Sequence, residues 1–177
     1  LQRNSVAMMV NGGGFCTGSL VNNTSGNTIP YFLSARHCGT NPTNWVFRFR
    51  WEAPVGQTSC ATNSPSGNGP TTMTVNGAQL KASNTSSDFV LVELNTPPNP
   101  NWGIYYNGWD NTDSSTATKG IGIHHPDGDI KKISIKDDPL SQQLVTFLSL
   151  PDNVWLVYNW DYGSTEPGSS GSPLFNQ

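Results

Sequence analysis

The sequence predicts an all-β protein made of two antiparallel β-barrels of about six strands each. Three observations carry that expectation. Short runs rich in β-branched and aromatic residues recur along the chain, each bounded by Gly, Asn, Pro or Ser clusters. They fall into two sets of about six, split by Asn95-Thr96-Pro97-Pro98-Asn99-Pro100-Asn101. No segment carries the periodicity of a long amphipathic helix.

In chain order, the first set reads as strands at residues 5–10, 15–21, 29–33, 45–51, 72–75 and 89–94. Asn11-Gly12-Gly13-Gly14 and Thr24-Ser25-Gly26-Asn27 supply two of the intervening turns. Closely spaced prolines cannot sit in a central strand, so residues 97–102 read as a linker. That divides the chain into a first barrel at 1–96 and a second at 103–177. Strand signals resume at 103–106, 120–124, 132–136, 144–150, 154–160 and 173–175.

Composition narrows the function classes. Only 12% of the 177 residues are charged, about half the usual share of a soluble domain. Six Trp, seven Phe and five Tyr with a net charge of −3 supply a real core, which argues against disorder. Nine scattered Lys and Arg leave no electrostatic footprint for nucleic acid. No long apolar run exists to span a membrane. The Asn, Ser, Thr and Gly load reads as an exported protein, and the start at Leu1 as a mature product or a fragment.

The sharpest chemical signal is Thr165-Glu166-Pro167-Gly168-Ser169-Ser170-Gly171-Ser172-Pro173. A serine between glycines, just before a strand, can sit in a tight turn whose backbone N–H groups stabilise a developing oxyanion. It needs a base to be nucleophilic. Ser34-Ala35-Arg36-His37-Cys38 offers a histidine beside a cysteine, and Ser87-Asp88 places an acid at the mouth of an apolar strand. The order His, Asp, Ser, with separations of 51 and 82, is weak evidence alone; the local contexts give it weight.

Those contexts resemble the chymotrypsin-type serine endopeptidases, and among them the secreted bacterial lysyl endopeptidases. The matching stretches are Cys16–Thr24, Tyr31–Cys38, Ser87-Asp88-Phe89 with Glu93-Leu94-Asn95, Gly108-Trp109-Asp110, Ile123-His124-His125-Pro126 and Glu166–Pro173. They occur in family order over nearly the whole chain. The resemblance implies a catalytic triad of His37, Asp88 and Ser170, an oxyanion hole from the N–H groups of Gly168 and Ser170, and a Cys16–Cys38 disulfide. Such a bridge, closing about 23 residues, is worth roughly 3 kcal/mol on the chain-entropy view. It further implies a secreted monomer acting on protein or peptide substrates after Lys, with no metal, cofactor, nucleic acid or membrane involved. Cleavage after Glu or Arg, or a catalytically silent binding homologue, are the alternatives.

Other features read as structural. His124 and His125 are adjacent and face opposite sides of a strand, so they do not suit one metal. Asp127-Gly128-Asp129 has only part of a calcium loop and reads as a turn. Asn22-Asn23-Thr24 and Asn84-Thr85-Ser86 match glycosylation sequons only by pattern. Two departures from the family stand out. Seven residues follow Ser170, so the rest of the second barrel and the P1-binding acid are expected beyond this sequence, and Cys60 is left without its partner. Trypsin-like enzymes carry an Asp immediately before the nucleophile to capture an amino terminus; here that position is Ser169, so the loop must be held in another way.

Overall fold

The strands pack because their alternating residues share one apolar face. A computed structural model describes residues 1–54, 56, 70–112, 116–147 and 150–176. Among them there is no α-helix, only short 3-10 turns. Seven strands form the first sheet: β1 (Val6–Asn11), β2 (Gly14–Val21), β3 (Tyr31–Ala35), β4 (Val46–Phe49), β5 (Thr74–Asn76), β6 (Ala78–Asn84) and β7 (Phe89–Leu94). Their order is β5-β4-β1-β2-β3-β7-β6, every neighbour antiparallel.

The two edge strands, β5 and β6, are consecutive in the chain and separated only by Gly77. One segment bent at Gly77 therefore pairs with both ends of the sheet and curls it back on itself, so seven strands do the work of six. Gly77 has φ +71, and an added Cβ would lie 2.7 Å from the Thr43 carbonyl oxygen. Only glycine fits this corner.

Inside the curl lie Ala7 and Met9 of β1, Phe32 of β3, Phe47 and Phe49 of β4, and Val90, Val92 and Leu94 of β7, all buried. They obey the two-residue period of a half-buried strand. Phe32 meets Phe47 edge-on at 4.8 Å between centroids and Phe49 at 6.5 Å. Met8, on the opposite face of β1, joins Trp51 and Ile130 in a second buried cluster. That cluster seals the first sheet against the second half of the molecule.

The second half holds β8 (Gly120–His124), β9 (Lys132–Lys136) and β12 (Leu174–Asn176), in the order β12-β8-β9. A separate hairpin pairs β10 (Ser141–Phe147) with β11 (Leu150–Leu156). Polar ties hold the halves together. The Lys131 amide donates to the Trp51 carbonyl at 2.9 Å, while its buried ammonium reaches the Arg3 carbonyl at 2.7 Å and Glu52 at 3.2 Å. Burial pulls the Lys131 pKa down to about 8, partly offset by Glu52.

Several sequence expectations need correction. Residues 103–106 are not a strand: Ile104 and Tyr106 cover the first core, and only Asn107 bridges to Val21. Their apolar side chains serve as a lid rather than as a sheet face. The strand expected at 154–160 lies earlier, at Leu150–Leu156, because Trp160 leaves the ladder to lie over Gly122. Conversely β6 is a strand that the sequence did not announce: Ala78, Leu80 and Ala82 alternate with polar residues, but none of the run is β-branched or aromatic. All but one of its residues are exposed, and it exists because it pairs along β7 from Ala78↔Leu94 to Asn84↔Phe89.

Candidate active site

His37 sits in a 3-10 turn, Arg36–Cys38, directly after β3. Asp88 immediately precedes β7, the strand paired with β3, and the register Ala35↔Phe89 brings the two together. The contact is threefold. Asp88 Oδ2 lies 2.6 Å from His37 Nδ1, Asp88 Oδ1 accepts the His37 amide at 2.8 Å, and the Asp88 carbonyl accepts the Arg36 amide at 2.7 Å. Asp88 achieves this with φ +49, a left-handed conformation that Asp tolerates better than most residues. One carboxylate thus fixes both the backbone and the ring of the histidine. The Cys16–Cys38 disulfide ties the same turn to β2, and the Cys38 carbonyl accepts the Asn11 side chain.

The loop before β12 meets this turn from the other side. The Ser169 amide donates to the Glu166 carbonyl at 3.0 Å, with Pro167 second and Gly168 third at φ +94. That is a type II turn. The Ser172 amide donates to the Ser169 carbonyl at 3.0 Å, with Gly171 third at φ +81, a second turn of the same kind. Ser169 is their shared corner. The Ser170 carbonyl accepts the Thr17 amide of β2 at 2.8 Å and lies 4.0 Å from Cys38 Sγ. The structure thus brings Ser170 beside the residue that follows His37.

Gly168 is locked from two directions. Its carbonyl accepts Thr17 Oγ1 at 2.9 Å, and the preceding Pro167 carbonyl accepts the Asp127 amide at 2.6 Å. Among the described residues no peptide bond is cis, so the Gly168 N–H points opposite to the Pro167 C=O, away from the Pro126–Gly128 turn. A side chain at 168 would meet the His125 carbonyl oxygen at 2.9 Å and the Asp127 amide at 3.0 Å. It would also favour a type I turn, in which that central peptide is reversed. Two donors at Gly168 and Ser170 can stabilise an oxyanion only if this peptide keeps its direction.

Thr17, His124 and Asp127 were not singled out as site residues by the sequence. Thr17 Oγ1 also accepts the His125 amide at 2.9 Å, so a buried hydroxyl links β2, the loop before β12 and the turn after β8. Its place in Cys16-Thr17-Gly18-Ser19 was the one available signal. His125 Nδ1 meets the Asp129 carbonyl at 3.0 Å; burial, reinforced by the Lys131 charge, lowers its pKa to about 3. Asp127-Gly128-Asp129 forms a turn, as its pattern suggested. Among the described residues no group of three or more His, Cys, Asp or Glu could hold a metal, and no helix is long and apolar enough to cross a membrane. Cys60 lies outside the described residues.

The same arrangement of curled antiparallel sheets occurs in solved proteases. A thermostable serine protease from an extremophilic microorganism superposes with a TM-score of 0.60 over 99% of this chain and 79% of that one, at 12% identity. The protease Anisep from Arthrobacter nicotinovorans gives 0.62 over 98% and 78%, at 16% identity. The fold is therefore that of the chymotrypsin-like serine proteases. Within that class, the family model described as "Lysyl endopeptidase, C-terminal domain" matches residues 1–177, and the chain belongs to this family. The lysyl endopeptidase of Pseudomonas aeruginosa is 32% identical over 184 residues, covering 96% of this chain. The chain spans 37% of that relative's length.

Proposed function

We propose that this chain carries the catalytic machinery of an exported serine endopeptidase that cleaves peptide bonds after lysine. The observation that carries the reading is the hold of Asp88 on the turn of His37, through the His37 ring and the His37 and Arg36 amides, with Ser170 beside Cys38. Ser170 Oγ attacks the scissile carbonyl, and His37 Nε2 takes its proton. The C–N bond breaks as His37 returns that proton to the leaving amine, and water then hydrolyses the acyl-enzyme by the same route in reverse. Asp88 orients the imidazole and stabilises it when charged. Gly168 and Ser170 N–H groups receive the oxyanion, a role worth about 2.7–4 kcal/mol per donor.

Lysine preference is supported by family membership and by the name of the P. aeruginosa relative. Export is supported by the disulfide, which persists in oxidising compartments. The test is a panel of peptide p-nitroanilides with Lys, Arg or Glu at P1, cleaved by the full-length protein that contains this chain. We expect the highest kcat/KM with Lys. Equal rates with Lys and Glu would refute the specificity, and no cleavage of any would turn the reading toward a silent binding homologue.

A further inference from the structure

Ser169, the corner shared by the two turns that carry Gly168 and Ser170, is held from within the second half of the molecule. Its Oγ lies 2.9 Å from Nδ1 of His124, the last residue of β8, and 3.2 Å from the Glu166 amide. His124 Nε2 lies 2.9 Å from Ser134 Oγ on β9, and Ser134 Oγ lies 3.1 Å from the Ser164 carbonyl. His124 and Ser134 are fully buried and Ser169 nearly so.

The protons of this chain can be assigned from its fixed end. The Ser164 carbonyl can only accept, so the Ser134 hydroxyl donates to it. Ser134 Oγ then accepts from His124 Nε2–H, which leaves Nδ1 with a lone pair. The Ser169 hydroxyl donates to that lone pair, while its own oxygen accepts the Glu166 amide. Every group is satisfied with a neutral imidazole in one tautomer. Burial, helped by Lys132 opposite it in the β8–β9 ladder, favours the same neutral form.

We propose that His124 is a positioning residue for the oxyanion loop, acting through Ser169, in place of the charged pair that an acid before the nucleophile would form. This rests on the serine endopeptidase reading above. Holding the Ser169 side chain fixes the junction of the two turns, and with it the relative direction of the Gly168 and Ser170 N–H groups. A ligand whose oxyanion is not yet formed gains little from that direction, whereas the transition state gains most.

The test uses Ser169→Ala, His124→Ala and the double variant in the full-length protein. We expect kcat to fall about ten- to a hundredfold with KM within about twofold. The affinity of a peptidyl boronic acid, which mimics the tetrahedral state, should fall in parallel. The double variant should lose no more than the worse single one, because both remove the same bond. His124→Asn, whose Oδ1 can stand in for Nδ1, should recover part of the loss. Unchanged kcat with only a lower melting temperature, or additive losses, would overturn the proposal. Nitrogen NMR of the labelled histidines gives a readout independent of turnover. The Nε2–H tautomer should be seen for His124 and be disturbed in Ser169→Ala, while an Nδ1–H tautomer would overturn the assignment. If the wild type is inert yet the NMR result holds, the endopeptidase reading fails and the Ser169–His124 bond stands.

Discussion

His37 and Asp88 ride on a sheet whose inner face is filled by Phe32, Phe47, Phe49 and the apolar residues of β7. Gly168 and Ser170 sit in two linked turns held by hydrogen bonds donated by Thr17 and Asp127 and by the bond between Ser169 and His124. The first half of the site is placed by packing, which is non-directional and proportional to buried area. The second half is placed by peptide direction, which only hydrogen bonds and positive-φ glycines can select. Damage to the first should therefore appear as lost stability, and damage to the second as lost catalysis in an intact fold.

The largest expected effect falls on the charge beside His37, which neither packing nor turn direction supplies. Asp88→Asn keeps the side-chain shape and the tolerance for positive φ, but removes the charge facing His37 Nδ1. Steady-state assays of the full-length protein should show kcat reduced by about four orders of magnitude, with the melting temperature little changed. Next come two substitutions that separate the halves. Phe47→Ala deletes a fully buried ring and should cost about 3–5 kcal/mol of stability in denaturant unfolding. The molecules that remain folded should keep their kcat, which active-site titration would reveal. Gly168→Ala should do the opposite, lowering kcat about a hundred- to a thousandfold, as loss of one oxyanion donor does, while the first sheet unfolds at its usual midpoint. A Gly168→Ala enzyme with normal kcat would contradict the turn argument.

The smallest effect concerns acid. His124 and His125 are both held below the ordinary histidine value by burial, His125 down to about 3. Below about pH 6.5 the unfolded chain binds protons that the folded chain refuses. Stability contributed by keeping these groups neutral is thus complete above that pH and is lost progressively as pH falls toward 3. Melting temperature should decline from pH 6.5 to pH 5, and His125→Gln, which takes up no proton, should flatten the decline.

How much of this was legible in the sequence follows the same division. The packed half was readable because its strands alternate: Phe47 and Phe49, or Val90, Val92 and Leu94, announce a face before any contact is known. The proposed triad could be named from the sequence because each member sits in a local context that resembles a known family. β6 was not read as a strand: Ala78, Leu80 and Ala82 alternate with polar residues, but the run has no β-branched or aromatic residue and owes its conformation to β7. Nor was the role of His124. Its partner is 45 positions away, and adjacent histidines in a strand carry no mark of which one faces a serine. Polar ties between distant segments leave no periodicity, so they are the part of a site that folding reveals and pattern does not.

The central claim is that Ser170 is the nucleophile activated by His37. A fluorophosphonate probe reacts only with a serine whose base and oxyanion donors are in place. Treating the full-length protein and mapping the adduct by peptide mass spectrometry tests this directly. One adduct per chain is expected, on Ser170 and on neither Ser169 nor Ser172, absent in Ser170→Ala and strongly slowed in His37→Ala. An adduct on another serine, or undiminished labelling of Ser170→Ala, would contradict it.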